Sequence, residues 1–134
     1  MDNNYGRSEI PEIILPKKTI QKYWGQIKTV YENSELVVKH IEMNKGTQSS
    51  MEYHLKKDEY YYLVKGKLKI GMRIGRAKNV SKILEEGQIY HIPRGLMHMR
   101  IALEDCIIVE WSNSDDDSDS NIVEDGKTYI HKEL

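Results

Sequence analysis

From Trp24 to Trp111 the chain is a succession of short runs rich in valine, isoleucine and tyrosine, each closed by turn-forming residues. The runs are GQIKTVY, ELVVKHIEM, SMEYHL, EYYYLV, KLKIGMRI, SKIL, QIYHIP, HMRIAL and CIIVEW. Punctuation falls between them at Glu32-Asn33-Ser34, Asn44-Lys45-Gly46, Lys65-Gly66, Lys78-Asn79, Glu85-Glu86-Gly87, Pro93-Arg94-Gly95 and Glu104-Asp105. No stretch here sustains the roughly 3.6-residue apolar period of a helix. About nine short strands at this spacing predict an all-β sandwich or small barrel.

With 134 residues the chain has material for one domain. Three segments are expected: an N-terminal arm or edge strand over 1–22, the barrel over 23–112, and an acidic loop with a C-terminal segment over 113–134. The arm holds Ile13, Ile14, Leu15 and two of the three prolines. A net charge of −1, with both signs interspersed, argues against a nucleic-acid partner, which would call for clustered lysine and arginine. Cys106 is the only cysteine and lies in an apolar run, which predicts a buried thiol and a cytoplasmic setting. No run approaches the roughly 20 apolar residues that span a bilayer. In SNSDDDSDSN, Asp115, Asp117 and Asp119 have the alternation of a calcium loop. Ser120 then stands where that loop needs glycine and Gly126 where it needs glutamate, so that reading fails.

The stretch SMEYHLKKDEYYYLVKG carries chemistry inside strand-forming sequence. Side chains alternate along a strand, so Glu52 and His54 are expected on one face with Tyr53 on the other. Glu59 starts the next run, and an antiparallel neighbour would set its carboxylate beside the first pair. His98, after the Pro93-Arg94-Gly95 turn, supplies a fourth donor. Two imidazoles and two carboxylates suit a divalent ion such as Zn, Mn, Fe, Co or Ni. The alternative is that Glu52 and Glu59 face solvent, with both histidines as polar rim residues.

Two motifs give this spacing a counterpart. Gly46, five residues, Glu52-Tyr53-His54, four residues, Glu59, six residues and Gly66 resembles the first motif of the cupin superfamily. Gly87, five residues, Pro93-Arg94-Gly95, two residues and His98 resembles the second, with Ala102 at its terminal asparagine position. The resemblance implies a double-stranded β-helix, or jelly-roll, barrel. Within cupins the chain is similar to the C-terminal isomerase domain of type II mannose-6-phosphate isomerases, from Tyr23-Trp24-Gly25 to DSDSNIVEDGKTY. The guanylyltransferase half of those bifunctional proteins has no counterpart in these residues.

That likeness implies a metal set of Glu52, His54, Glu59 and His98, and isomerisation of a phosphorylated sugar between aldose and ketose. In such a reaction a metal polarises the carbonyl and a base moves a proton between neighbouring carbons. The sequence departs from the family in three places. Glu52 replaces a glutamine, Leu55-Lys56-Lys57 replaces a run of histidines, and Met99 replaces a basic residue, with Arg100 one place later. Arg100, Tyr61 and His91 are candidates for catalysis. Arg100, Arg94 and Lys57 are candidates to hold a phosphate or carboxylate. A cupin that binds a sugar or small acid without turnover is the alternative, and an iron-dependent, oxygen-using cupin a third reading. Met99, Ile101 and Leu103 are expected on an outward apolar face that, with the arm, predicts a homodimer.

Overall fold

The computed structural model describes residues 6–133. Its strands are β1 (Lys18–Lys22), β2 (Gly25–Glu32), β3 (Val37–Met43), β4 (Met51–Tyr53), β5 (Glu59–Lys65), β6 (Lys67–Ile74), β7 (Lys78–Glu85), β8 (Ile89–Ile92), β9 (Met97–Ala102), β10 (Cys106–Ser112) and β11 (Asn121–Glu124). The one helical element among the described residues is a 3₁₀ turn at Asp117–Asp119. All strand pairs are antiparallel and form two sheets, β1-β2-β3-β10-β5-β8 and β11-β4-β9-β6-β7. Every run expected from Trp24 to Trp111 contains a strand or lies within one, but the turn expected at Lys78-Asn79 is displaced to residues 75–77, because Lys78 and Asn79 pair with Ile74 and Arg73 as the start of β7. The first five residues of the expected arm, and Leu134, lie outside the described residues.

Alternation along the strands builds the core. In β10, Cys106, Ile108, Glu110 and Ser112 point inward while Ile107, Val109 and Trp111 point outward. Ile41, Tyr61, Leu63, Leu68, Ile70 and Ile108 are fully buried between the sheets. Trp24 closes one end of this cluster. Truncating such a residue to alanine costs about 2–5 kcal/mol, enough to threaten a domain of ordinary marginal stability.

The segment after β11 covers the outer face of the smaller sheet. Arg73 and Asn79 donate to the Tyr129 hydroxyl, each at 3.0 Å, and Asn79 also donates to the Lys132 carbonyl at 2.9 Å. Gln48 donates to the Gly126 and Tyr129 carbonyls. Gly71 makes room for this covering, because a Cβ there would sit 3.0 Å from the Met99 side chain and 3.2 Å from the His131 ring. The outward apolar face expected from Met99, Ile101 and Leu103 is therefore not open at its centre. Met99 has no exposed surface, Ile101 is half-buried, and Leu103 is exposed at the edge.

Candidate metal centre

β4 and β9 are neighbours, and their register sets Glu52 directly opposite His98. β4 ends at Tyr53, so His54 is the first residue beyond the strand rather than part of it. Its ring nonetheless turns to the same side, with Nε2 at 3.4 Å from Glu52 Oε1. Glu59 arrives differently from expectation. β5 belongs to the larger sheet, so Glu59 is not on a hydrogen-bonded neighbour of β4 but reaches the group from across the barrel. Its Oε1 lies 2.7 Å from His98 Nε2 and 3.8 Å from His54 Nε2.

The ring chemistry suits a metal. His98 Nδ1 faces the Leu96 carbonyl at 2.9 Å and His54 Nδ1 faces the Asp119 carbonyl at 3.0 Å. A carbonyl only accepts, so each Nδ1 carries a proton, which leaves each Nε2 as the nitrogen that a metal would take beside the carboxylates. His54 Nε2 is buried with no hydrogen-bond partner among the described residues. Donor atoms of Glu52, His54 and His98 lie within 4.8 Å of one another. Mixed imidazole and carboxylate donors around an unpartnered nitrogen fit a divalent metal ion, whose identity they leave open.

Charge is concentrated around this group. Burial opposes ionisation of Glu52, but the side chains of His54 and Ser120 and the charge of His98 hold its pKa down to about 2. Burial likewise opposes ionisation of Glu59, which His98, Lys57 and His54 keep well below the usual carboxylate range. Burial alone would lower the pKa of His54, yet Glu52 and Glu59 raise it. The Tyr61 hydroxyl donates to Glu59 Oε1 at 3.2 Å and accepts from Arg100 at 3.3 Å. Burial and the Glu59 charge push this phenol well above its ordinary range.

Arg100 shares the inward face of His98. Its guanidinium lies 5.1 Å above the Trp24 ring and 5.7 Å from the Tyr61 ring, a favourable site for a desolvated cation. Its Nε is buried without a partner among the described residues. Arg100 and Glu52 line one cavity of about 200 Å³ with Tyr23, Trp24, Ser49 and Ser50. Lys57, expected to hold a ligand's phosphate or carboxylate, is instead buried, its ammonium 3.1 Å from Glu59 and 3.0 Å from Glu110. Arg94 is exposed and donates to the Lys56 carbonyl. His91 is on the outer face of the larger sheet, stacked on Tyr60 and 2.6 Å from Asp58, away from the cavity.

Three contributors escape a reading by motif. The inward position of Glu110 follows from alternation with Cys106 and Ile108. Asp119 and Ser120 carry no local signal, since their partners are more than sixty residues earlier in the chain.

A jelly-roll barrel with histidine and carboxylate donors at its centre defines a class of metal-binding β-barrels. The chain matches the Cupin family over residues 16–133 and belongs to it. No curated protein matches it in sequence. Solved structures with the same fold include a mutant of Bacillus subtilis oxalate decarboxylase OxdC, with TM-score 0.70 and 15% identity over 79% of this chain and 30% of that one. The capsular polysaccharide assembling protein CapF from Staphylococcus aureus aligns with TM-score 0.72 and 19% identity over 80% and 32%. KdgF from Halomonas sp. aligns with TM-score 0.61 and 21% identity over 69% and 81%. The chain thus spans about a third of the first two proteins and most of the third. Among the described residues no helix is long and apolar enough to cross a membrane.

Proposed function

We propose that this chain is a divalent-metal-dependent cupin acting on a small anionic sugar, with aldose–ketose isomerisation of a sugar phosphate as its reaction. The observation that carries the reading is the shared cavity. A buried, incompletely paired guanidinium at Arg100 and a carboxylate of the metal set at Glu52 face the same 200 Å³. Such a site would hold an anionic ligand by one end and present its oxygens to the donors at the other. The likeness of motifs and tail to the isomerase domain of type II mannose-6-phosphate isomerases supports the choice of reaction.

In this reading Glu52, His54, Glu59 and His98 hold the ion, which supplies Lewis acidity at a ligand oxygen. Arg100 takes the phosphate or carboxylate. The Tyr61 hydroxyl, bridging Glu59 and Arg100 but fully buried and outside the lining of the cavity, holds those two side chains in place rather than reaching the ligand. Arg94 remains a rim contact. Lys57 and His91 are left out of ligand binding, because their polar atoms are engaged by Glu59 and Glu110 and by Asp58. A cytoplasmic homodimer completes the proposal. The arm residues Ile10, Ile13, Ile14 and Leu15, 70–89% exposed, would be covered by a second copy.

The size of the cavity favours a second reading, a cupin that binds a small acid without turnover, since sites for larger ligands usually exceed about 300 Å³. The deciding experiment measures metal content by elemental mass spectrometry in the wild type, His54→Ala and His98→Ala, followed by assay of mannose 6-phosphate conversion with the metal restored. Stoichiometric metal lost in both variants, with turnover in the wild type, is expected. Metal without turnover, but with saturable binding of small acids, assigns the binding module. No metal in the wild type, even after incubation with divalent ions, overturns the isomerase and leaves the binding module.

A further inference from the structure

Five polar contacts to the candidate ligands of the metal centre and to the turn between them come from the acidic segment between β10 and β11. The Asp119 carboxylate, with Asp119 only 6% exposed, accepts three consecutive backbone N–H groups: Leu55 at 2.8 Å, Lys56 at 3.0 Å and Lys57 at 3.0 Å. These groups form the turn that joins the end of β4 to the start of β5, and so links His54 to Glu59. The backbone carbonyl of the same residue accepts from His54 Nδ1 at 3.0 Å. One residue on, the Ser120 hydroxyl donates to Glu52 Oε2 at 2.5 Å. Asn121 then fixes the segment by donating to the Tyr53 and Asp119 carbonyls, and β11 pairs with β4.

Each contact has a definite effect on a metal donor. His98 takes its tautomer from the Leu96 carbonyl, two residues away, whereas His54 takes it from a carbonyl sixty-five residues away. Ser120 engages one oxygen of Glu52 and leaves Oε1, the oxygen nearer His54 Nε2, as the donor. A turn whose three N–H groups converge on one carboxylate is held far more rigidly than one left to water. Partners of this kind orient ligands and typically change metal affinity by about 10–100-fold when removed.

We infer that Asp119 and Ser120 are positioning residues for the metal centre, the acidic segment acting as a strap that sets the tautomer of His54, the path between His54 and Glu59, and the binding mode of Glu52. The inference rests on the metal-dependent reading above and assigns a role to a segment that carries no donor of its own.

The test is Co(II) titration of the full chain, followed by affinity and by the visible absorption of the bound ion, in the wild type, Asp119→Ala, Asp119→Asn, Ser120→Ala and Asp117→Asn. Asp117 removes the same charge without touching a ligand or the turn. Expected are a loss of about 10–100-fold for Asp119→Ala, partial recovery in Asp119→Asn, which keeps one acceptor oxygen, and an altered absorption envelope for Ser120→Ala. Asp117→Asn should match the wild type. If Asp119→Ala does not fold, Asp119→Asn and Ser120→Ala carry the test. Wild-type affinity and spectrum in those two variants would overturn the strap while leaving the metal site intact. A wild type that binds no Co(II) overturns the metal reading, and the strap with it.

Discussion

At the scale of single residues, His54 shows how the barrel interior sets the chemistry. Burial favours its neutral form, but Glu52 and Glu59 outweigh burial and raise its pKa above the usual value near 6.5. In the metal-free protein the protonated ring therefore contributes stability that is fully present below about pH 6.5 and is lost as pH rises through the raised value. The same proton competes with a metal for Nε2. Apparent metal affinity should rise with pH from about 6 until the raised pKa is passed, with proton release on binding in the acidic part of that range. Calorimetric titration in buffers of different ionisation enthalpy measures both, and affinity flat across the range would contradict the assignment. Lys57 is the counterpart case. Its cation lies against Glu59 and Glu110 at once, a shared opposite charge for two carboxylates at 1% and 3% exposure. Nothing in LKKD marks Lys57 as different from Lys56. Only the position of Glu110, on a strand from the far side of the chain, decides which lysine is drawn inside.

At the scale of elements, the turns matter as much as the strands. Gly66 separates β5 from β6 at φ +98°, and a Cβ there would fall 2.2 Å from the Asp105 carbonyl oxygen. Gly66→Ala should thus destabilise the protein by about 2 kcal/mol or more, from backbone strain together with the clash. Urea unfolding followed by circular dichroism measures it, and wild-type stability would show that the β5–β6 connection can relax. Strand positions were legible from period and punctuation because each strand is half-buried and alternates. Sheet membership was not. The short connection from His54 to Glu59 reads as a hairpin, yet it carries the chain from one sheet to the other. Local sequence sets which residues alternate, whereas the choice of neighbour depends on pairings such as β5 with β10 and β4 with β9, which are remote in sequence. Glu52, His54 and His98 still gather, and Glu59 approaches the two histidines from the opposite sheet, because opposite faces of a closed barrel converge on its axis.

At the scale of the whole molecule, two apolar surfaces have different fates. The outward side of β9 is covered at its centre by the chain's own residues around His131. The arm keeps Ile13 and Leu15 at 89% and 77% exposure. The outer face of the larger sheet also carries Tyr60, Tyr62, Val64, Ile89, Val109 and Trp111, with Tyr60 stacked on Trp111. Burial of these groups in a second copy is the expected outcome. Light scattering at micromolar concentration should give twice the chain mass, and Ile13→Ser with Leu15→Ser should give the single-chain mass with unchanged circular dichroism. A wild type at single-chain mass would contradict the homodimer.

The donors proposed for the metal centre belong to both layers of the barrel, Glu52 and His98 to one sheet and Glu59 to the other. An ion held by all of them is a rivet through the sandwich. The two layers can then part only after a coordination bond has broken. In that proposal, loss of the ion would set how often the barrel opens as well as how stable it is, and the lifetime of the folded chain would become a property of its metal supply.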